Sequence, residues 1–189
     1  MADIIPFITF FNFILTQRIV ELLIAKRNEK WMKDQGAIEF GREHYHYLVW
    51  MHMFFLISLC MEKLLFNREL SSYWPFLLLI FFMAQIIRFW VIFSLGKYWN
   101  TKIIVLPFAN VIRKGPYRYI KHPNYFIVSI ELIVVPLLFG AFITAAVFTI
   151  LNLIIMSIRV PAEEAALKNL TEYDGTFKSC NRFLPKIVK

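Results

Sequence analysis

The sequence predicts an all-α integral membrane protein. It would have about five transmembrane helices, the last two forming a hairpin, with the polar mass in loops and a C-terminal helix on one side. Three observations carry this. Hydrophobic residues make up 59% of the 189 residues and charged residues only 18%, against about 45–50% and about 25% in an average soluble domain, and mean hydropathy is +0.57. The apolar residues fall in runs near the roughly 20 needed to cross a hydrocarbon core of about 30 Å as a helix. The basic residues gather in the gaps between alternate runs.

The first run extends from Ile4 to about Ala25, the second from about Tyr47 to Phe66 and the third from Tyr73 to Leu95. A fourth apolar block, Phe126 to Ile158, contains one charge, Glu131. As one helix it would be about 50 Å long at 1.5 Å per residue, too long for one straight crossing and short for two full ones. Pro136 and Gly140 offer the break, so a tight helical hairpin is expected. Lys26, Arg27, Lys30, Lys33 and Arg42 lie between the first two runs. Lys97, Lys102, Arg113, Lys114, Arg118 and Lys121 follow the third, and further basic residues fill the tail from Arg159. The other side holds only Lys63 and Arg68. The positive-inside rule then puts the N-terminus outside and the C-terminus in the cytoplasm of a multi-pass cell-membrane protein.

The net charge of +8 belongs to these loops, and no nucleic-acid-binding motif accompanies it. Cys60 and Cys180 occupy unlike settings, one apolar and one polar, so neither a disulfide framework nor a Cys-based zinc site follows. The first positive residue, Arg18, comes after the apolar stretch has begun, which is unlike a cleavable signal. Repeats and low-complexity linkers are absent, and one membrane-embedded domain over residues 1–189 is expected.

Charges at membrane depth are costly and usually have a reason. Arg18 and Glu21, three apart, can pair on one helix face. Arg88 lies about 10 Å deep by helix rise and either reaches the interface or faces an internal polar site; we favour the second. Glu62 reads as interfacial. Glu131 reads as facing inward, or as a neutral structural carboxyl.

The densest polar segment is Arg113–Tyr125. Gly115 and Pro116 interrupt regular structure, Tyr117, Tyr119 and Tyr125 supply flat faces and hydroxyls, and His122, Pro123 and Asn124 read as a turn with Pro123 at a helix start. The segment is a cationic, aromatic turn feeding a helix into the membrane, equally suited to anchoring and to ligand binding. The second constellation is Arg159 to Leu167, in which Glu163 and Glu164 open a new amphipathic helix near Pro161. If the helix is instead continuous, Arg159 and Glu163 share a face as i, i+4 neighbours. His44, His46 and His52 crowd one interface without acidic or Cys partners at metal-ligand spacing, so no metal site is expected.

Gly115-Pro-Tyr-Arg-Tyr-x-x-His-Pro-Asn-Tyr125, an apolar hairpin, and then Arg159-x-x-x-Glu-Glu-x-x-Leu167 together resemble the isoprenylcysteine carboxyl methyltransferase family. Arg88 with Leu95-Gly-Lys-Tyr-Trp-Asn100, and Tyr173 with Arg182-Phe-Leu-Pro185, are similar to its flanking elements, so the resemblance spans residues 88–185, after N-terminal spans in 1–87. Arg18-x-x-Glu-Leu-x-x-Ala-Lys-Arg-Asn28, Gly36, Glu39, Gly41, His44-Tyr45 and His52 look like its compact bacterial branch, associated with O-methylation of long-chain alkylpyrones made by polyketide synthases. The sequence departs from the family pattern at Ile127, often Gly, at Lys121, commonly Arg, and at Asn100, commonly Thr; Glu131 lies outside the general pattern.

The resemblance implies S-adenosylmethionine as cofactor and a lipophilic small-molecule acceptor entering from the membrane lipid. It implies Gly115, Pro116, Tyr117, His122, Pro123, Asn124, Tyr125 and Glu164 as cofactor-binding, Arg159 and Glu163 as catalytic, and Arg88 and Glu131 as substrate-binding. An acidic enol or a carboxylate is already largely anionic near neutral pH, so neither a strong base nor a metal is required. The rivals are phospholipid N-methylation, whose amine acceptor Arg159 would repel, a sterol-type reductase using a nicotinamide cofactor, and a non-catalytic membrane subunit.

Overall fold

A computed structural model describes residues 3–178 and 180–184. Pro185, the end of the C-terminal motif, lies outside the described residues. Four helices are long and apolar enough to cross a membrane: α1 (Ile4–Asp34), α2 (Arg42–Leu65), α3 (Trp74–Leu95, prolonged by a 3₁₀ turn to Tyr98) and α5 (Phe142–Leu170). Between α3 and α5 lies α4 (Pro123–Leu138), a shorter apolar helix of 16 residues, about 24 Å long. Large side chains cover the outward faces, among them Ile86, Phe93 and Leu153, all well exposed, as suits a multi-pass protein surrounded by lipid tails.

The expected hairpin is present. α4 ends at Leu138, and Gly140, with φ +67°, reverses the chain into α5. A Cβ at Gly140 would stand 2.9 Å from the backbone oxygen of Glu69. Gly140→Ala is therefore expected to lower the thermal unfolding temperature in detergent. The left-handed backbone alone costs about 1–2 kcal/mol for a residue with a Cβ, and the carbonyl contact adds to it; an unchanged transition would remove this account of the turn.

Two expectations are corrected. α1 does not end near Ala25 but continues to Asp34, because Asn28 and Met32 on its polar end are buried against the loop after α3. Asn28 donates to the carbonyl oxygens of Trp99 (2.7 Å) and Gly96 (3.1 Å). No new helix opens near Pro161: α5 runs through it. Val160, Glu164 and Ala166, all buried, hold the turns on both sides of the proline against the body. Glu62, near the end of α2, is buried within the chain, and its carboxylate accepts from the backbone N–H of Ile143 (3.1 Å) and from N–H and hydroxyl of Thr144 (2.7 and 2.8 Å). It satisfies the open N–H groups at the start of α5.

Two smaller elements shape the polar end. β1 (Ile38–Phe40) and β2 (Ile103–Val105) form an antiparallel pair in the register Ile38–Val105, Glu39–Ile104, Phe40–Ile103. Burial alone would raise the Glu39 carboxyl, but Lys33, Lys102 and Arg42 hold it below the usual carboxylate range, so the strand pair is pinned by charge as well as by its ladder. α6 (Tyr173–Phe177) buries Tyr173 and Phe177 beside Trp99 and Tyr117.

Candidate functional site

The turn between the 3₁₀ segment Gly115–Arg118 and α4 is built by its own residues and by the tail. The N–H groups of Lys121 and His122 donate to the carbonyls of Asn181 (3.0 Å) and Arg182 (3.1 Å). Glu164, one helical turn beyond Val160 on α5, receives the His122 Nε2–H at 3.1 Å and a two-pronged contact from Arg182, Nε at 3.0 Å and Nη2 at 2.7 Å. A carboxylate only accepts, so the His122 proton sits on Nε2. Glu164 thus ties turn, tail and α5 together.

In front of this brace lies a cavity of about 230 Å³ lined by residues from every part of the chain that the motifs singled out, including Arg88, Trp99, Tyr117, His122, Asn124, Tyr125, Arg159, Glu163 and Tyr173. Five buried polar atoms of its lining side chains have no hydrogen-bond partner among the described residues: Arg88 Nε, Trp99 Nε1, Asn124 Oδ1, Arg159 Nη1 and Tyr173 Oη. Orphaned polar groups are costly when buried, and five of them belong to side chains that line one cavity, which suits a place for a polar ligand. The set mixes four donors with a carbonyl acceptor, and Arg159 adds a cation. That inventory fits the carboxylate, amine, hydroxyls and base edge of S-adenosylmethionine. Burial raises the phenols of Tyr117 and Tyr173 well above their ordinary values, with Glu163 adding to the effect on the first and Glu164 on the second. Both hydroxyls therefore stay protonated.

Arg159 and Glu163 share a face of the continuous helix, yet they do not touch directly. The Tyr125 hydroxyl lies between them, donating to Glu163 Oε2 at 2.5 Å and receiving Arg159 Nε at 3.4 Å. Arg159 Nη2 donates to the Thr101 carbonyl at 2.8 Å. Arg159 is 2% exposed, and its guanidinium is fixed on two sides, with Nη1 left over.

Arg88 and Glu131 meet inside the bundle. Arg88 donates to both oxygens of Glu21 (3.1 Å each) and to Glu131 (2.5 Å), and Arg18 donates to Glu21 (2.8 Å) and to Glu131. Gln85 Nε2 donates to Glu131 at 2.6 Å, and Gln17 Nε2 to Gln85 and Glu21 at 2.6 and 2.9 Å. Two cations and two anions thus cancel in a closed network drawn from α1, α3 and α4. Beside it is a second cavity, again about 230 Å³ and mostly apolar, lined by Ile14, Phe55, Phe81, Leu132 and Val135 among others. Leu22, Val49 and Met53 line it too and are 52%, 38% and 47% exposed, so it opens toward the surrounding lipid between α1 and α2. The two cavities share Arg18, Glu21, Leu48, His52 and Thr101.

Tyr117, His122, Asn124, Tyr125, Arg159, Glu163 and Arg88 therefore stand around the first cavity, and Glu131 around the second. Gly115, Pro116, Pro123 and Glu164 are not among the lining residues. Gly115, φ +55°, lets the turn approach Trp90 and Ser94 of α3, where a Cβ would collide. Ile127 is fully buried in the core and does not line the cavity, which explains how a side chain is accommodated there. Trp99, Thr101 and Tyr173 were not singled out individually from the sequence. Trp99 and Tyr173 stood inside the flanking elements of the family resemblance, Leu95–Asn100 and the segment from Tyr173.

A sequence model of the isoprenylcysteine carboxyl methyltransferase (ICMT) family matches residues 76–169, a span that takes in both cavity-lining motifs. An uncharacterized protein of Bacillus subtilis (strain 168), YpbQ, is 44% identical over 155 residues, covering 82% of this chain and 92% of its own. An uncharacterized protein of Haemophilus influenzae is 34% identical over 161 residues, covering 85% and 94%.

Proposed function

The chain belongs to the isoprenylcysteine carboxyl methyltransferase (ICMT) family of membrane methyltransferases, and on that premise we propose that it moves a methyl group from S-adenosylmethionine to an oxygen of a lipophilic acceptor. The acceptor is the hydroxyl of a long-chain alkylpyrone, a polyketide, or else a prenylcysteine-like carboxylate. One observation carries this reading: a polar cavity bearing five orphaned buried atoms adjoins an apolar cavity that opens among lipid-facing side chains. A water-soluble donor and a greasy acceptor need such a pair of compartments.

When bound, the cofactor supplies a methyl group on a positively charged sulfur, ready for in-line displacement. Asn124, Trp99 and Tyr173 would hold its polar ends, with Tyr117 and His122 forming the wall. Arg159, held by Thr101 and Tyr125, would offer Nη1 to an anionic acceptor oxygen. Glu163 acts on Arg159 through the Tyr125 hydroxyl, holding the guanidinium in place. The gain is alignment and preset charge. A free arginine Nη1 favours an anionic oxygen over the ammonium of a phospholipid headgroup.

In this reading α4 completes the hairpin with α5 as a fifth crossing, the N-terminus is outside, and the turn, the tail and the strand pair face the cytoplasm, where the basic loops belong. The test is to incubate purified protein with labelled S-adenosylmethionine and lipid extract containing alkylpyrones, and to identify the labelled product. A labelled alkylpyrone ether, together with binding of S-adenosylhomocysteine, is expected. Label in phospholipid, or binding of the phosphorylated nicotinamide cofactor without S-adenosylhomocysteine, overturns the reading.

A further inference from the structure

His52 stands on α2 at the wall shared by the two cavities. Its Nδ1 is 2.9 Å from the carbonyl oxygen of Leu48, one turn earlier. A carbonyl only accepts, so Nδ1 carries the proton, and in the neutral ring Nε2 is left as a bare acceptor. Among the described residues Nε2 has no hydrogen-bond partner. The charged groups that line the same two cavities are Arg18 and Glu21 on α1, Arg88 on α3, Glu131 on α4, Arg159 and Glu163 on α5, and Lys102 and Lys121 in the connecting segments. The first four neutralise one another in the network of α1, α3 and α4.

We propose that His52 is a catalytic residue, the proton acceptor that lets this site methylate hydroxyl groups too weakly acidic to ionise by themselves. The inference rests on the methyltransferase reading and deepens it: a carboxylate or an acidic enol needs no base, so a bare imidazole nitrogen where acceptor and donor compartments meet assigns phenol-like hydroxyls to the acceptor class. The step balances. The acceptor O–H bond breaks and its proton goes to Nε2. The oxygen forms the new bond to the methyl carbon while the S–CH3 bond breaks and its electron pair stays on sulfur. The positive charge passes from sulfur to the imidazolium, whose proton then leaves to water.

Two measurements test it. In detergent-solubilised protein labelled with ¹⁵N-histidine and free of methyl donor, para-dodecylphenol is expected to shift a bare Nε2 resonance that is absent from His52→Gln. In turnover, wild type is expected to methylate both para-dodecylphenol and a hydroxypyrone with the same chain. His52→Gln, which can keep the bond to Leu48, lowers the phenol-to-pyrone turnover ratio about 100-fold at neutral pH, within the range of general-base catalysis. The ratio climbs back as the pH nears the ionisation of the phenol itself. An unchanged ratio, equal losses on both acceptors at every pH, or a wild type that takes the pyrone and refuses the phenol overturns the proposal and leaves the methyltransferase reading standing. A wild type that binds no S-adenosylhomocysteine and methylates neither overturns both.

Discussion

Arg159→Ala is expected to cut methyl transfer at saturating donor and acceptor by about 100- to 1,000-fold, the scale seen when one preset donor to a developing or bound oxyanion is removed. The loss should fall mainly on kcat, because the guanidinium sits where the reacting oxygen would be held rather than along the apolar cavity that takes the tail. Arg159→Lys separates charge from shape. A lysine keeps the cation, but it cannot satisfy the Thr101 carbonyl and the Tyr125 hydroxyl while presenting a further N–H in the same plane. Its activity should therefore lie between alanine and wild type. Tyr125→Phe supplies the complementary test, since it cuts the link to Glu163 and leaves the arginine in place; a smaller loss, with Arg159 less ordered, is expected. S-adenosylhomocysteine binding and thermal unfolding measured on each variant distinguish a lost reaction from a lost fold. Full turnover by Arg159→Ala would remove this residue from the reaction.

Much of the architecture was legible because the bilayer imposes it. Run length, the break at Gly140 and the placement of lysine and arginine are local quantities that map onto the long helices, the hairpin and the polar end, although Pro136 stays inside α4 and α1 outruns its apolar stretch. The continuity of α5 was less legible. Proline at 161 is a local signal to stop, and only the packing of Val160, Glu164 and Ala166 overrides it, which no window of sequence reports. Glu62 illustrates the same limit, since its partners are Ile143 and Thr144, in a helix whose start cannot be placed beside residue 62 from spacing. In the site, the motif residues of the turn and of α5 were identifiable by type and order. Which of them line the cavity was not: Glu164 looks like a ligand contact in sequence, yet it is occupied by His122 and Arg182. The interposed Tyr125 hydroxyl and the orphaned atoms of Trp99 and Tyr173 are three-dimensional facts of the same kind.

The buried ion network gives the largest expected effect on stability. Glu131→Leu removes the carboxylate shared by Arg18, Arg88 and Gln85. Two guanidinium groups are then left with Glu21 alone, so one positive charge at bundle depth has no counter-ion. Breaking a buried pair by removing one partner costs about 3–5 kcal/mol, and lipid around the bundle offers less relief than water. The variant should unfold at markedly lower temperature or denaturant in micelles and accumulate poorly in membranes. The physical cause is charge imbalance rather than lost volume, and a second variant isolates it. Arg88→Met combined with Glu131→Leu leaves Arg18 paired with Glu21 at 2.8 Å and restores neutrality, so the double variant should be more stable than Glu131→Leu alone. Such a reversal of sign cannot arise from packing, because each replacement alone removes contacts. If the double variant is the less stable of the two, the cluster is held by shape and hydrogen bonds rather than by charge balance.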